Sequence, residues 1–348
     1  MSHFAVAVFS EDGGKTVEEL LAPYHEFECT GDDNEFVQDI DITEEALNEY
    51  KNYTVTRYVN LDGVFIDPYA DEFYREFTAE EQQEIHPTGS GCGHGISWRS
   101  KDWGDGKGYR AKVHYLPDGY KETELPATQV MSFSEFIEYY YGTPIASVSD
   151  ELDLTEVHKY GYALIDREGN AVKLIKRTNP NKKWDYWRVG GRYRGLVKAE
   201  SGDLGDKAWE VSERKDDAGY FDSARIKDIN FSPDQTEYNR AIRFWEVVVE
   251  HNELKPDENI DNFWSFYEPE YYQQRYGSKE TYAKCKSMFV TYAVVTPDGV
   301  WHEKGEMGWF GCGSETNDEA LNWDLTFKQR FIDSANPNWV LTVVDCHI

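Results

Sequence analysis

Two short apolar runs decide how the chain is read: Phe4-Ala5-Val6-Ala7-Val8-Phe9, and Leu341-Thr342-Val343-Val344-Asp345-Cys346-His347-Ile348 at the far end. An unbroken apolar run of six residues is the pattern of a strand covered on both faces. On a strand of period two, Asp345 and His347 share one face and Cys346 takes the other. Strands at both ends with helices between them imply an α+β fold, one mixed or antiparallel sheet closed by both termini, with helices and an acidic inserted lobe. The expected division is a core of residues 1–29 and 155–348, with 30–154 as an acidic, aromatic and Gly-rich insertion. Residues 3–9, 160–166, 290–296 and 340–346 are the most apolar, β-branched runs, and they are expected in one sheet.

Helix signals fill the space between. A turn at Gly13-Gly14 precedes a short helix over Val17–Leu21, stopped near Pro23, and Thr43 with Ala46, Leu47 and Tyr50 marks another. Thr78-x-x-Glu81 and Ser132-x-x-Glu135 read as capping boxes, the second opening a helix with Phe133, Phe136, Ile137 and Tyr140 on its apolar face. Ser232-Pro233-Asp234-Gln235 supplies an N-cap, a Pro at the first helical position and a Gln two residues on, before Tyr238, Ala241, Ile242, Trp245, Val248 and Val249. Thr316-x-x-Glu319 caps a helix over 317–332 with the stripe Ala320, Trp323, Phe327 and Phe331. Residues 162–169 and 292–299 align without gaps as two strand-plus-turn units; shared hairpin chemistry accounts for the likeness without a duplication.

The 348 residues include 65 Asp and Glu against 36 Lys and Arg, a formal charge of −29. Such a surface is repelled by nucleic acids and anionic membranes, so direct binding to either is not expected. Residues 10–85 hold 22 acids against four basic residues. Aromatic residues make up 15% of the chain, which suits interfaces rich in amphipathic rings. Five scattered cysteines with no CxxC spacing signal neither a disulfide framework nor a zinc ribbon. MSHFAVAVF has no basic leader and only six consecutive apolar residues, too few for a signal-peptide core or a membrane span. A reducing cytosol is the expected compartment.

Few chemical motifs survive scrutiny. Gly14-Lys15-Thr16 resembles the end of a phosphate-binding loop, but Phe9 stands where that loop needs Gly, so a turn and helix start is expected. Residues 86–108 are glycine-rich with little periodicity and read as a long loop. Within it, Gly91-Cys92-Gly93-His94-Gly95 sets a thiol near an imidazole without two further ligands at metal-binding spacing. Asp345-Cys346-His347 has the same ambiguity. No nucleophile elbow, HExxH, EF-hand loop, dinucleotide fingerprint or kinase signature occurs. No cofactor or metal is expected, and a nonenzymatic role is favoured.

The sharpest local signal is 173–198, KLIKRTNPNKKWDYWRVGGRYRGLVK, with nine Lys and Arg against Asp185 alone. Trp184, Tyr186, Trp187 and Tyr193 are interleaved with the cations. Guanidinium forks beside aromatic faces and a Gly-Gly turn suit a planar or phosphorylated anion, or a carboxylate-rich protein face. Lys182, Lys183, Trp184, Tyr186, Arg188, Arg192, Tyr193 and Arg194 are therefore the candidate binding residues, with Arg188, Arg192 and Arg194 expected as a partly exposed cationic surface. Pairing with residues 10–85, within a monomer or between subunits of a homo-oligomer, would satisfy both charge blocks. Asp32, Asp33, Glu35, Asp39 and Asp41 are the candidate acidic interface toward a basic partner.

Three groups of residues resemble an uncharacterised family of bacteriophage accessory proteins. They are Met1–Phe4 with Leu20–Tyr24, the central Asn179–Tyr193, and the later blocks 292–299, 305–311 and 341–348. The blocks cover about a fifth of the chain and fall at both ends and the middle, as in a full-length relative. Lys183 and Tyr193 stand where the family pattern has a small residue and a Trp, a departure that would alter a pocket there. The resemblance implies an early, host-directed protein of the host cytoplasm that evades bacterial immunity by binding a defence protein complex, the Gabija nuclease–helicase being the candidate. The alternative is a nucleotide-like small-molecule binder, a sponge or an enzyme, using 182–194.

Overall fold

The computed structural model describes residues 2–75, 96–98, 111–205, 219–308 and 312–348. The Thr78–Glu81 box, the Gly91–Gly95 run and most of the 86–108 loop lie outside the described residues. The chain is α+β and divides into two compact units, one made of 1–38 and 178–348, the other of 39–177. The expected insertion at 30–154 is thus corrected. The division falls at Asp39 and Arg177 because the strands Gly161–Ile165 and Ala171–Thr178 pair with Ile145–Ser147 and Gln38–Asp41.

The first unit is built on a six-stranded mixed sheet. His3–Ser10 and Val340–His347 lie side by side along their whole length, antiparallel, from His3 opposite His347 to Ser10 opposite Val340. Ala293–Val295 runs parallel to His3–Ser10 on its other side and is followed by Trp301–Glu303. Tyr186–Val189 and Ser223–Arg225 pair with successive halves of Val340–His347. Both ends of the chain thus enter one sheet, as its central pair. Alternation then sorts the side chains. Ala5, Ala7, Phe9, Leu341 and Val343 pack with Trp323, Phe327 and Ile332, while Phe4, Val6, Val8, Val344 and Cys346 pack with Leu20, Leu21 and Trp184. Burial on both faces is why these strands read as continuous apolar runs.

The caps follow the sequence closely. The Thr16 hydroxyl accepts from the Glu19 N–H while Glu19 accepts from the Thr16 N–H, so Gly14-Lys15-Thr16 is a turn and helix start. Ser132 and Thr316 head the other two described capping boxes. The helix Gln235–Val248 is capped by Asp234, whose carboxylate accepts from Thr236 and Glu237; the expected cap at Ser232 lies two residues early. This helix packs with Pro269–Tyr276 and Lys279–Ser287 through Trp245, Tyr272, Tyr276 and Tyr282.

The second unit carries a four-stranded sheet in the order Gln38–Asp41, Ala171–Thr178, Gly161–Ile165, Ile145–Ser147, and two three-stranded sheets. Its core joins Ala46, Ile137, Ala163 and Leu174. Residues 160–166 therefore do not join the main sheet. Their hairpin turn at Gly169 pairs them locally with 171–176, and an apolar run specifies a strand without specifying its sheet.

Candidate functional site

The cations of 173–198 have different fates. Lys173 pairs with Asp41 and Arg177 with Asp39 in the second unit. In the first unit Lys182 lies between Glu26 and Glu28, and Lys183 pairs with Glu303 at 2.7 Å. Burial pushes the Glu28 carboxyl up, but hydrogen bonds from Thr178 and Lys182 outweigh it and hold the group below its ordinary range. The intramolecular pairing of the basic segment with acids of 10–85 is thus present at Asp39, Asp41, Glu26 and Glu28.

Trp184 is core: its indole N–H donates to the Leu21 carbonyl at 3.1 Å. Arg194 is buried and donates to the Gly205 carbonyl, so it leaves the expected cationic surface. Arg188 and Arg192 are exposed and have no ion-pair partner among the described residues. Tyr193 donates its hydroxyl to the His3 carbonyl, and burial, then Asp345, push that hydroxyl up to about 12.

The Gly190-Gly191 turn serves resident carboxylates. Gly190 and Gly191 have φ of +72° and +52°, and a Cβ on either would sit within 2.5 Å of Asp222 or Asp345. Asp222, fully buried, accepts from the Gly195 and Gly205 N–H groups, and Asp345 accepts from the Arg192 N–H. These backbone donors are already satisfied, so the turn itself is not a cradle for an external anion.

Beside it lies a constellation that joins Asp345, His347, Tyr186 and Arg188, all singled out in the sequence, to His3, which is not. Strand register puts His3, His347 and Tyr186 in one row across three strands, with Ala5, Asp345 and Arg188 in the next. His3 Nδ1 donates to Asp345 at 2.9 Å and His347 Nδ1 donates to Asp185 at 2.7 Å. Tyr186 stacks on the His347 ring at 4.8 Å, and its hydroxyl is 3.3 Å from His3 Nε2.

The acidic candidates divide. Asp32, Asp33 and Glu35 are exposed in the first unit, whereas Asp39 and Asp41 carry the ion pairs above in the second. Sequence reasoning missed an aromatic surface. Ile260, Trp264, Phe266 and Tyr267 are exposed, Trp264 by 75% and Phe266 by 79%. Residues 250–270 hold seven carboxylates against Lys255. Glu258 of this segment is clasped by Arg243, which also donates to the Glu253 carbonyl.

Among the described residues no group of three metal-ligating side chains occurs, and no helix is long and apolar enough to cross a membrane. Comparison of the chain with protein-family profiles, curated proteins and solved structures finds no match.

Proposed function

We propose that the chain is a nonenzymatic binding protein that occupies a basic surface of a partner protein through its aromatic segment 260–267. The observation that carries this reading is the exposure of Ile260, Trp264, Phe266 and Tyr267 within eight residues of a carboxylate-rich stretch. Aromatic anchors supply large contact area at small entropic cost, and a charged rim selects and steers the partner. Asp257, Asp261, Glu268 and Glu270 form no ion pair among the described residues and are left to face a cationic partner. With the resemblance to phage accessory proteins, the partner class is a bacterial defence complex in the host cytoplasm, the Gabija nuclease–helicase first among candidates.

The test compares the wild-type chain with the Trp264→Ala/Phe266→Ala variant in defended bacteria under phage attack. Wild type should restore phage growth and co-purify with the defence complex. The variant should do neither while unfolding at the same temperature. Equal protection by both proteins, or no effect of wild type on any defence system, would overturn the reading.

A further inference from the structure

The row His3–His347–Tyr186 is the polar end of a sheet face whose other end is packed under Trp323 and Phe327. Its side chains are prearranged. The imidazoles are largely buried, with side-chain exposures of 12% for His3 and 7% for His347, and each has its Nδ1 fixed by a different carboxylate. Their rings are 4.8 Å apart, edge to face. Tyr186 covers His347 with one ring face while the residue remains 43% exposed.

Arg188 stands in register opposite Asp345, and Arg192 follows the Gly-Gly turn whose next N–H binds the same carboxylate. Tyr186 and Arg188 are two residues apart on one strand and so share its face, and burial, then Asp345, push the Tyr186 hydroxyl up while Arg192 and Arg188 draw it back. Arg188 and Arg192 are exposed without carboxylate partners among the described residues, whereas the neighbouring Lys182 and Lys183 are both paired. The acids of the cluster are already engaged: Asp345 by His3 and the Arg192 N–H, Asp185 by His347 and the Tyr186 N–H.

We propose that Arg188, Arg192, Tyr186 and the two histidines form a binding site for a nucleoside monophosphate. The phosphate is taken by the two guanidinium forks, which match phosphate oxygens in bidentate geometry. The base stacks on the exposed ring of Tyr186, as aromatic side chains receive planar heterocycles. The imidazoles form the floor; His3 Nε2 meets the Tyr186 hydroxyl at 3.3 Å, and His347 Nε2 is the ring position that Asp185 does not fix. The site is separate from the aromatic segment 260–267, and neither proposal depends on the other.

The experiment is calorimetric and NMR titration of the full chain with the four ribonucleoside monophosphates, with inorganic phosphate and the free nucleosides as separate arms. At least one monophosphate should bind saturably, about tenfold or more tighter than phosphate or its nucleoside alone, and should shift the His3 and His347 ring resonances. Arg188→Gln/Arg192→Gln should weaken the monophosphate and phosphate by about tenfold or more without altering the unfolding temperature. Tyr186→Leu should remove the advantage of the monophosphate over phosphate. Absence of saturable binding up to about 10 mM overturns the site, as does binding indifferent to the two arginines.

Discussion

His3 and His347 are opposite residues of the central strand pair, and each holds its own carboxylate, Asp345 for the first and Asp185 for the second. The arrangement follows from alternation. Residues 345 and 347 fall on one face, their partners across the ladder are residues 5 and 3, and Asp185 precedes the strand that pairs on the other side. The strands that build the core therefore also fix a polar cluster at its edge.

Asp345 is the most committed member. Its side chain is 5% exposed and accepts from both the His3 ring and the Arg192 N–H. Asp345→Ala orphans two donors and should destabilise the chain by about 2–5 kcal/mol in urea denaturation. Asp345→Asn keeps an acceptor and should cost about half as much or less. An alanine variant as stable as wild type would mean that the cluster does not hold the strand ends together.

Gly191 makes a second demand on the same carboxylate. Its φ of +52° disfavours any side chain, and a Cβ would sit 2.4 Å from the Asp345 Cβ. Gly142 has φ of +60° and ψ of +22°, and a Cβ added there would meet nothing within 4 Å, so Gly142→Ala isolates the backbone strain, about 1–2 kcal/mol. Gly191→Ala adds overpacking and should cost about 2–4 kcal/mol. Equal losses in thermal unfolding would show that Asp345 yields freely.

The strands at both ends and the capping boxes at Ser132 and Thr316 are legible in the sequence because they depend on neighbours in the chain. Pairing partners are not legible. His3 meets Asp345 across 342 positions and Lys183 meets Glu303 across 120, and no local pattern encodes either. For the same reason the basic segment can be counted from sequence but not divided: Lys182 and Lys183 are neutralised, Arg194 is buried, and Lys176, Arg188 and Arg192 stay exposed without an ion pair among the described residues. The aromatic segment escapes a periodicity reading because Trp264-Ser265-Phe266-Tyr267 matches neither period; its signal is bulky apolar residues among carboxylates with no face to bury them.

Cys29 should alkylate slowly although the residue is exposed. Burial of the sulfur, then the hydrogen bond to Glu26, push its thiol up to about 11. A thiol raised that far above its ordinary range has a thiolate fraction near pH 8 lowered by about a hundredfold. Site-resolved mass spectrometry with iodoacetamide should find Cys29 lagging the exposed Cys312, the gap closing toward about pH 11. Glu26→Gln should accelerate Cys29. A Cys29 rate equal to that of Cys312 at about pH 8 would contradict the assignment.

The clasp between Arg243 and Glu258 connects the helix Gln235–Val248 to the aromatic segment, and it makes a prediction about pH and about partner binding together. Glu258 is drawn down to about 2, first by its hydrogen bond from Arg243 and then by the Lys255 N–H. A carboxyl lowered in the folded state contributes stability that is complete above its unfolded value of about 4.3 and disappears as pH falls through the folded value. Carboxyl NMR should therefore follow Glu258 titrating near about pH 2 in wild type and back in the ordinary range in Arg243→Met. That variant also releases the Glu253 carbonyl, so residues 253–258 lose their tether ahead of Ile260. A looser segment must be ordered when it docks, which weakens binding without removing any contact residue. Charge reversal at Asp257, Asp261, Glu268 and Glu270 should act differently, slowing association most at low salt and little once the screening length falls below about 10 Å. Trp264→Ala should chiefly speed dissociation. Surface-based kinetics against the co-purified partner separates the three. If Arg243→Met restores the Glu258 titration yet leaves partner affinity unchanged, the clasp serves the fold alone and the aromatic segment is not the docking surface.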